Sequence, residues 1–191
     1  MKIDLRLCTI LVFLFTAKTI PAADYSAQPL YGIFKSAPFF FPAWEYDTGG
    51  EGVAYHDSDS ENQNTNSVRI SEGVDLWDAP VAGGGYRVGW TRPGEWLRYS
   101  FKVPIQRNYQ LRFKISFDSP ENTSAVIAYR FLRSGHQGRS LVTPTGGWNL
   151  PENMDAGVVN LSEGHETLEV YFESVTNIKG ECPDFWSFEL L

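Results

Sequence analysis

Two tryptophans in glycine-rich turns are the residues of this chain best suited to hold a ligand. Trp90 follows Gly89 and precedes a Pro-Gly turn, and Trp148 follows Gly146-Gly147. Glycines beside a tryptophan leave the indole face uncovered and let another molecule approach the backbone. The apolar face of a pyranose ring lies flat on such an indole, while polar side chains bind its hydroxyl groups. The alternative is that each tryptophan caps one end of a hydrophobic core.

Acidic residues offer a second chemistry, because glycoside hydrolysis needs two carboxylates that face each other across a cleft. The candidates are Asp57, Asp59, Glu72, Asp75 and Glu95. Spacing alone brings no two of them together, and turn carboxylates commonly bind loop backbone or water. The segment 57–62 (DSDSEN) alternates oxygen ligands that would suit calcium. It lacks the glycine and the terminal glutamate of a complete calcium loop, so a solvated loop is the favoured interpretation.

Motifs for other chemistries are missing from the sequence. It contains no Gly-rich phosphate loop, no His-Glu-x-x-His, no Cys-x-x-Cys and no nucleophile elbow, and its 3 histidines are scattered. Phosphate, zinc, thiol and serine-nucleophile chemistry therefore find no support here.

Alternating strands must position these residues. Apolar residues alternate with polar ones from Tyr109 to Phe117, and again in Leu97–Val103 and Leu168–Phe172, which is the period of a half-buried strand. Shorter strand candidates are Val53–His56, Ser67–Ile70, Ala125–Phe131, Gly157–Leu161 and Asp184–Leu190. No segment predicts a long amphipathic helix. Short strands separated by Gly, Pro, Asn and Ser predict an all-β sandwich of the jelly-roll type.

Length and charge limit the classes of partner. A chain of 191 residues without internal repeats predicts one folded domain. Its formal net charge of -7 would repel phosphate backbones and anionic lipids, which argues against nucleic-acid and membrane partners for the mature protein.

The N-terminus has the order of a secretory signal peptide. Lys2 and Arg6 precede the apolar stretch Leu7–Phe15, and small residues follow at 21–23. We expect residues 1–23 to be removed, residues 24–39 to form a leader that packs in part on the domain, and residues 40–191 to form the domain. The mature, secreted chain would keep Cys182 but not Cys8, and therefore no internal disulfide.

The segments GGEGVAYHD, EGVDL, GGYRVGWTRPGEWLRY, TGGW and DFWSFEL, in this order, resemble carbohydrate-binding module family 6 from about Phe41 to Leu190. The resemblance implies a galactose-binding-like β-jelly roll that binds polysaccharide chains or chain ends without catalysis. It also implies a sugar cleft between loops, with Trp90 and Trp148 as the aromatic residues. A secreted polysaccharide-degrading enzyme would be the partner.

Two departures from the family pattern affect the predicted site. Cys182 stands where the family has an asparagine that hydrogen-bonds the sugar, and a thiol is the weaker donor and acceptor. Asn149 and Asn177 are candidates to replace that contact. The acids that open the family's domain and bind a structural calcium ion are replaced around Phe41–Trp44, with Glu45 one step later, so only Asp184 keeps an acid at a calcium position.

Two other functions stay open at this stage. One is a small jelly-roll lyase or hydrolase that uses Arg87 or Arg92, Tyr86 and an acid near Trp90. The other is a degenerate module used for protein–protein packing, which the loss of the asparagine at Cys182 would explain.

Overall fold

A computed structural model describes residues 25–191 except residues 27, 64–67 and 81–84. The predicted signal peptide lies outside the described residues. The described part contains two short 3-10 turns, Leu30–Gly32 and Ala43–Glu45. Its strands are β1 (Lys35–Ser36), β2 (Phe39–Pro42), β3 (Tyr55–His56), β4 (Leu76–Asp78), β5 (Tyr86–Val88), β6 (Trp96–Val103), β7 (Arg107–Ser116), β8 (Ala125–Phe131), β9 (Gln137–Val142), β10 (Glu152–Leu161), β11 (Gly164–Val175) and β12 (Asp184–Leu190).

The strands form two six-stranded sheets packed face to face, so the predicted all-β jelly-roll sandwich is confirmed. Sheet 1 has the order β1-β6-β11-β8-β9, with β3 also paired to β6. Sheet 2 has the order β10-β7-β12-β5-β4, with β2 also paired to β12. Every described pairing between these strands is antiparallel except that of β1 with β6.

Alternation in the sequence determines which side chains enter the core. In β7, Tyr109, Leu111 and Phe113 are buried while the intervening residues are less so, as a strand with one covered face requires. The core between the sheets is rich in aromatic rings. Phe41 stacks on Phe188 at 5.1 Å between ring centroids, and offset or edge contacts of this kind add to area burial.

The strand predictions were correct for the long strands and less so for short ones. Ala125–Phe131 and Asp184–Leu190 match β8 and β12. The candidate Ser67–Ile70 was wrong over its described part, because residues 68–70 lie in a bend and turn and Arg69 has φ 55°. Short strands β4 and β5, which carry the site described below, were not predicted.

The expected boundary between leader and domain cuts through the sandwich. Residue 40 lies inside β2, and β1 within the predicted leader pairs with β6 of sheet 1. Residues 35–39 therefore belong to the fold. In the described part of the chain, no helix is long and apolar enough to cross a membrane.

Candidate functional site

Trp90 lies in the loop between β5 and β6, at one end of the sandwich. Its side chain is 36% exposed, and its backbone has φ 49°, in the left-handed region that residues with a side chain seldom adopt. Its backbone N–H donates to the Asp184 carboxylate. Trp90 is thus a partly exposed indole on a constrained backbone, and its role as a sugar contact remains a prediction.

Trp77 is a second exposed indole that sequence analysis missed. It is 38% exposed, and its ring centroid lies 4.6 Å from that of Trp90 with an interplanar angle of 58°. Gly89 makes this contact possible, because a Cβ there would lie 2.8 Å from Trp77 Cδ1. The sequence offered one signal for Trp77, which is a large aromatic residue directly after the apolar Leu76; in β4 Leu76 is buried and Trp77 points outward.

A buried ion pair holds the base of this loop cluster. Arg87 Nε donates to Asp184 Oδ2 at 2.6 Å, and both side chains are almost completely buried. Arg87 Nη1 also donates to Asn149 Oδ1 and to the Asp78 carbonyl, each at 3.0 Å. The guanidinium lies 4.8 Å from the Trp186 ring centroid. One arginine therefore joins the β5 strand, the β12 strand and the loop that follows Trp148.

Trp148 has a mixed environment. Its ring is half-buried, packs against the core and lies 6.4 Å from the Phe117 centroid. Its carbonyl accepts a hydrogen bond from Ser116 Oγ at 2.7 Å, and that hydroxyl accepts one from Trp186 Nε1 at 2.8 Å. The core-capping alternative thus holds in part for Trp148. Its role as a sugar contact remains a prediction.

The polar network connects the two tryptophan-bearing loops. The Trp90 N–H binds Asp184, Asp184 binds Arg87, and Arg87 binds Asn149, the residue after Trp148. Charge-assisted hydrogen bonds of this kind are among the stronger ones in proteins. The two loops are therefore held together by contacts between residues distant in the sequence. Arg87 and Asp184, for example, are 97 residues apart.

Cys182 does not line a surface. The residue is 1% exposed and belongs to the core, and its N–H donates to the Thr91 carbonyl at 2.7 Å. Burial, with a smaller effect of Glu95, raises the pKa of the thiol to about 12, so it stays protonated. A buried neutral thiol cannot reach a sugar hydroxyl, and we therefore leave Cys182 out of the binding surface predicted for it.

Asp184 is already neutralised by a protein cation. Burial raises the pKa of this carboxyl to about 7, while Arg87 acts in the opposite direction. Within the described residues, no group of three or more His, Cys, Asp or Glu side chains is placed to hold a metal ion. A guanidinium at 2.6 Å competes directly with a divalent cation for the same oxygen. The residues around Asp184 do not fit calcium, and the calcium prediction gains no support from them.

The acidic loop candidates mostly organise backbone. Asp57 Oδ1 accepts from the Asp59 N–H at 3.1 Å, and Asp75 Oδ1 accepts from the Gln63 N–H at 2.5 Å. Glu95 accepts from the Ser58 hydroxyl at 2.6 Å. Burial together with neighbouring carboxylates raises the pKa of Asp57 to about 7 and that of Asp75 to about 6. These contacts are the loop-shaping interactions expected of turn carboxylates.

The arginines and the tyrosine considered for a catalytic role have structural partners. Arg92 Nη1 donates to the Lys179 carbonyl at 3.2 Å, and the Tyr86 ring packs edge-on to Trp44 at 5.9 Å. Arg87 is occupied by Asp184 as described. A shallow groove of about 530 Å³ is lined by Lys114, Thr145, Asn149, Leu150, Pro151 and Glu152. Asn149 is thus both a partner of Arg87 and exposed at a groove.

Comparisons with known proteins place the fold. No protein-family profile matches the sequence, and no curated protein matches it. Among solved structures, six of the similar ones are family 6 carbohydrate-binding modules. A β-1,3-glucan-binding module from Bacillus halodurans has a TM-score of 0.57 and 19% identity, covering 83% of this chain and 98% of its own.

Two further modules of the same type were solved with ligands. One from Clostridium stercorarium, in complex with cellobiose, has a TM-score of 0.57 and 17% identity, covering 83% of this chain and 97% of its own. One from a Cellvibrio mixtus lichenase, in complex with cellotriose, has a TM-score of 0.53 and 15% identity, covering 80% and 95%. At such identities the likeness concerns the fold, and it covers nearly all of each module.

Proposed function

We propose that this protein is a non-catalytic module that binds polysaccharide chains or chain ends by aromatic stacking. The observation that carries the proposal is Trp90, an exposed indole on a strained backbone that is hydrogen-bonded to a buried ion pair. Exposure and a positive φ also occur at Tyr31, but Trp90 differs in two ways. It is fixed by the buried Arg87–Asp184 pair, and it lies against a second exposed indole, Trp77, so that a ligand could contact both rings. The modules with this fold that were solved with cellobiose and cellotriose support the same ligand class.

In the proposed mode, a pyranose ring stacks on Trp90 and polar groups from the adjacent loop bind its hydroxyls. Asn149 is the best placed of these groups, because Arg87 fixes its amide oxygen and the residue is exposed. Asn177 is less suited, since its amide closes its own turn through the Glu181 backbone at 2.7 Å. The buried thiol of Cys182 contributes no sugar contact, and we therefore expect weak affinity for a single sugar unit.

Secretion and an association with a glycan-degrading enzyme are further parts of the proposal. They rest on the signal-like N-terminus and on the resemblance of the sequence. A module of this kind raises the local concentration of its partner at an insoluble or gel-like glycan.

Affinity gel electrophoresis against a glycan panel tests the function. The panel includes β-1,3-glucan, soluble β-1,4-glucan and xylan, and the variants are Trp90→Ala and Trp148→Ala. Tyr31→Ala is the matched control, since Tyr31 shares an exposed aromatic ring (75%) and a positive φ (63°) with Trp90 but lies in the 3-10 turn Leu30–Gly32 and not in the β5–β6 loop. We expect retention of the wild type and the control and loss of retention in Trp90→Ala. Retention that is equal in both tryptophan variants and the wild type contradicts the proposed site.

The enzyme alternative is tested on the same panel by assays for reducing ends and unsaturated products. The raised pKa values of Asp57, about 7, and Asp75, about 6, are the features that favour this alternative. We expect no turnover. Turnover that disappears in Asp57→Asn or Asp75→Asn would replace the binding proposal by a hydrolase or lyase.

A further inference from the structure

Trp77 occupies a rigid position on the outer face of sheet 2. In the β4–β5 pair, Trp77 lies directly opposite Arg87, so the two side chains share a face of the sheet. Arg87 is fixed by Asp184 and also binds the carbonyl of Asp78, the residue next to Trp77. The backbone that carries the Trp77 indole is thus tied to the same ion pair that anchors Trp90.

The two indoles form a corner and not a flat platform. Their centroids are 4.6 Å apart, which is direct ring contact, and their planes meet at 58°. Both keep more than a third of their surface exposed. The glycine at position 89 allows Trp77 to lie against the backbone just before Trp90, so the corner has a defined shape.

Because of this angle, the Trp77 ring limits how a glycan can lie on the Trp90 ring. A glycan chain that is bound along its length needs a surface that stays open where the chain enters the site and where it leaves. Here a chain stacked on Trp90 meets the Trp77 ring as a wall on one side. A terminal sugar has no further residue that must pass Trp77, whereas an internal sugar whose chain runs toward Trp77 would clash with its ring.

We infer that Trp77 is a specificity-determining residue that closes one side of the Trp90 site and restricts it to the terminal sugar of a glycan chain. This inference rests on the proposed carbohydrate-binding function. Of the two ligands named there, polysaccharide chains and chain ends, it selects chain ends. Trp77 was not among the residues predicted to bind a sugar, because it lies outside both the sequence motifs and the predicted strands.

Binding stoichiometry on chains of defined length tests the inference. Isothermal titration uses pairs of short oligosaccharides and long soluble polymers with the same linkage, in β-1,3-glucan and β-1,4-glucan series. The protein is the wild type, Trp77→Ala, Trp90→Ala and the control Leu141→Ala, which truncates an exposed apolar residue on edge strand β9. Limited hydrolysis of the long polymer gives a third sample with the same mass and more chain ends.

If Trp77 is the wall, the wild type and Leu141→Ala bind in proportion to the number of chain ends, one module per chain whatever its length. In Trp77→Ala the number of modules bound per long chain rises with chain length. Wild type that already binds many modules per chain overturns the inference, as does Trp77→Ala that stays at one per chain. Absence of any Trp90-dependent binding to either series overturns the proposed function itself, and the inference with it.

Discussion

Two polar clusters in this sandwich each have a buried arginine and a buried carboxyl group, and they differ in what they support. The first, which we call the Asp47 cluster, consists of Tyr25, Asp47, Arg98 and Ser100 at sheet 1. The second, the Arg87 cluster, consists of Arg87, Asp184 and Asn149 below the exposed indoles of Trp90 and Trp77. The Asp47 cluster joins the N-terminal segment to the fold, whereas the Arg87 cluster joins loops at one end.

The Asp47 cluster has its polar groups paired and carries no exposed aromatic ring on a strained backbone. Asp47 accepts from the Ser100 N–H at 2.8 Å and from the hydroxyls of Ser100 and Tyr25 at 2.5 Å each. Arg98 lies 4.6 Å from the Tyr25 ring centroid and donates to Glu169 at 3.0 Å. Such a cluster stabilises the fold and offers little to a ligand.

The Arg87 cluster supports features that do not themselves stabilise the protein. It anchors a positive φ at Trp90 and two partly exposed indoles. The difference is that the Arg87 cluster holds a positive φ and exposed apolar surface in place, and under the proposed function this surface contacts the glycan. Variants that damage one cluster should therefore separate stability from glycan retention.

Arg87→Met should have the largest effect, and it should affect both properties. The change leaves the Asp184 carboxylate buried without its partner, which costs about 3–5 kcal/mol. At about 2–4 °C per kcal/mol for a chain of this size, Tm should fall by roughly 10 °C. Differential scanning fluorimetry measures the shift, and affinity gels at a temperature where the variant is folded should show weakened retention.

The double variant Arg87→Met/Asp184→Asn is the control for this prediction. It removes the unpaired charge, so it should recover part of the lost Tm while glycan retention stays weak, because the Arg87 contact to Asn149 is still missing. A single variant with wild-type Tm contradicts the role given to the ion pair.

Asp47→Ala should have the second largest effect, on stability alone. It leaves the Ser100 N–H and two hydroxyls with fewer partners in a buried site, at a cost of about 2–3 kcal/mol. We expect Tm to fall by about 4–12 °C at that cost. Retention per folded molecule should equal that of the wild type. Lost retention in the folded variant would mean that the two clusters are coupled, which would break the comparison.

Sequence alone was sufficient for the sandwich and for placing Trp90 in a turn. The alternation of β7 is visible over many residues because a half-covered strand imposes it on every second position. Trp90 was visible because glycine and proline mark a turn locally. These signals are local, and local signals survive in a single sequence.

The rest of the site depends on contacts between distant residues. Arg87 and Asp184 are partners 97 residues apart, and no local pattern indicates the pairing. Trp77 was missed because β4 spans only Leu76–Asp78, too short for a readable period. Cys182 was expected at a contact position by resemblance, but the loop turns its side chain into the core.

A smaller effect should come from the backbone strain at Trp90. A left-handed conformation costs a residue with a side chain about 1–2 kcal/mol of folding free energy, and glycine avoids this cost. The larger conformational freedom of glycine in the unfolded chain takes back about 0.4–1 kcal/mol of that advantage. Trp90→Gly should therefore be more stable than Trp90→Ala by roughly 0.5–1 kcal/mol. Urea titration of the two variants measures the difference.

Neither variant should be retained on the glycan gel, so the gain in stability comes with a loss of binding. Equal stability of the two variants would indicate that the loop relaxes its φ when the indole is absent. In that case the strain belongs to the indole contacts and not to the backbone.

An effect of the same order concerns Asp57, and it should depend on pH. Burial and the carboxylates of Glu95, Asp75 and Asp59 raise its pKa to about 7 in the folded protein, from 3.8 in the unfolded chain. Between these values the unfolded chain releases a proton that the folded protein keeps, so the contribution of this group to stability is lost as pH rises from about 4 to about 7. Asp57→Asn carries no such charge and can still accept the turn hydrogen bond from the Asp59 N–H.

The variant should match the wild type in Tm near pH 4 and exceed it at pH 8. After allowance for solvent screening of this partly exposed side chain we expect about 1 kcal/mol, or about 2–4 °C. Fluorimetry at a series of pH values checks this, with Asp155→Asn as the control. Asp155 is an exposed carboxylate on β10 that pairs with Arg112 at 2.8 Å, far from the acidic loop. A Tm difference that is constant across this pH range would show that Asp57 acts through turn geometry and not through its charge.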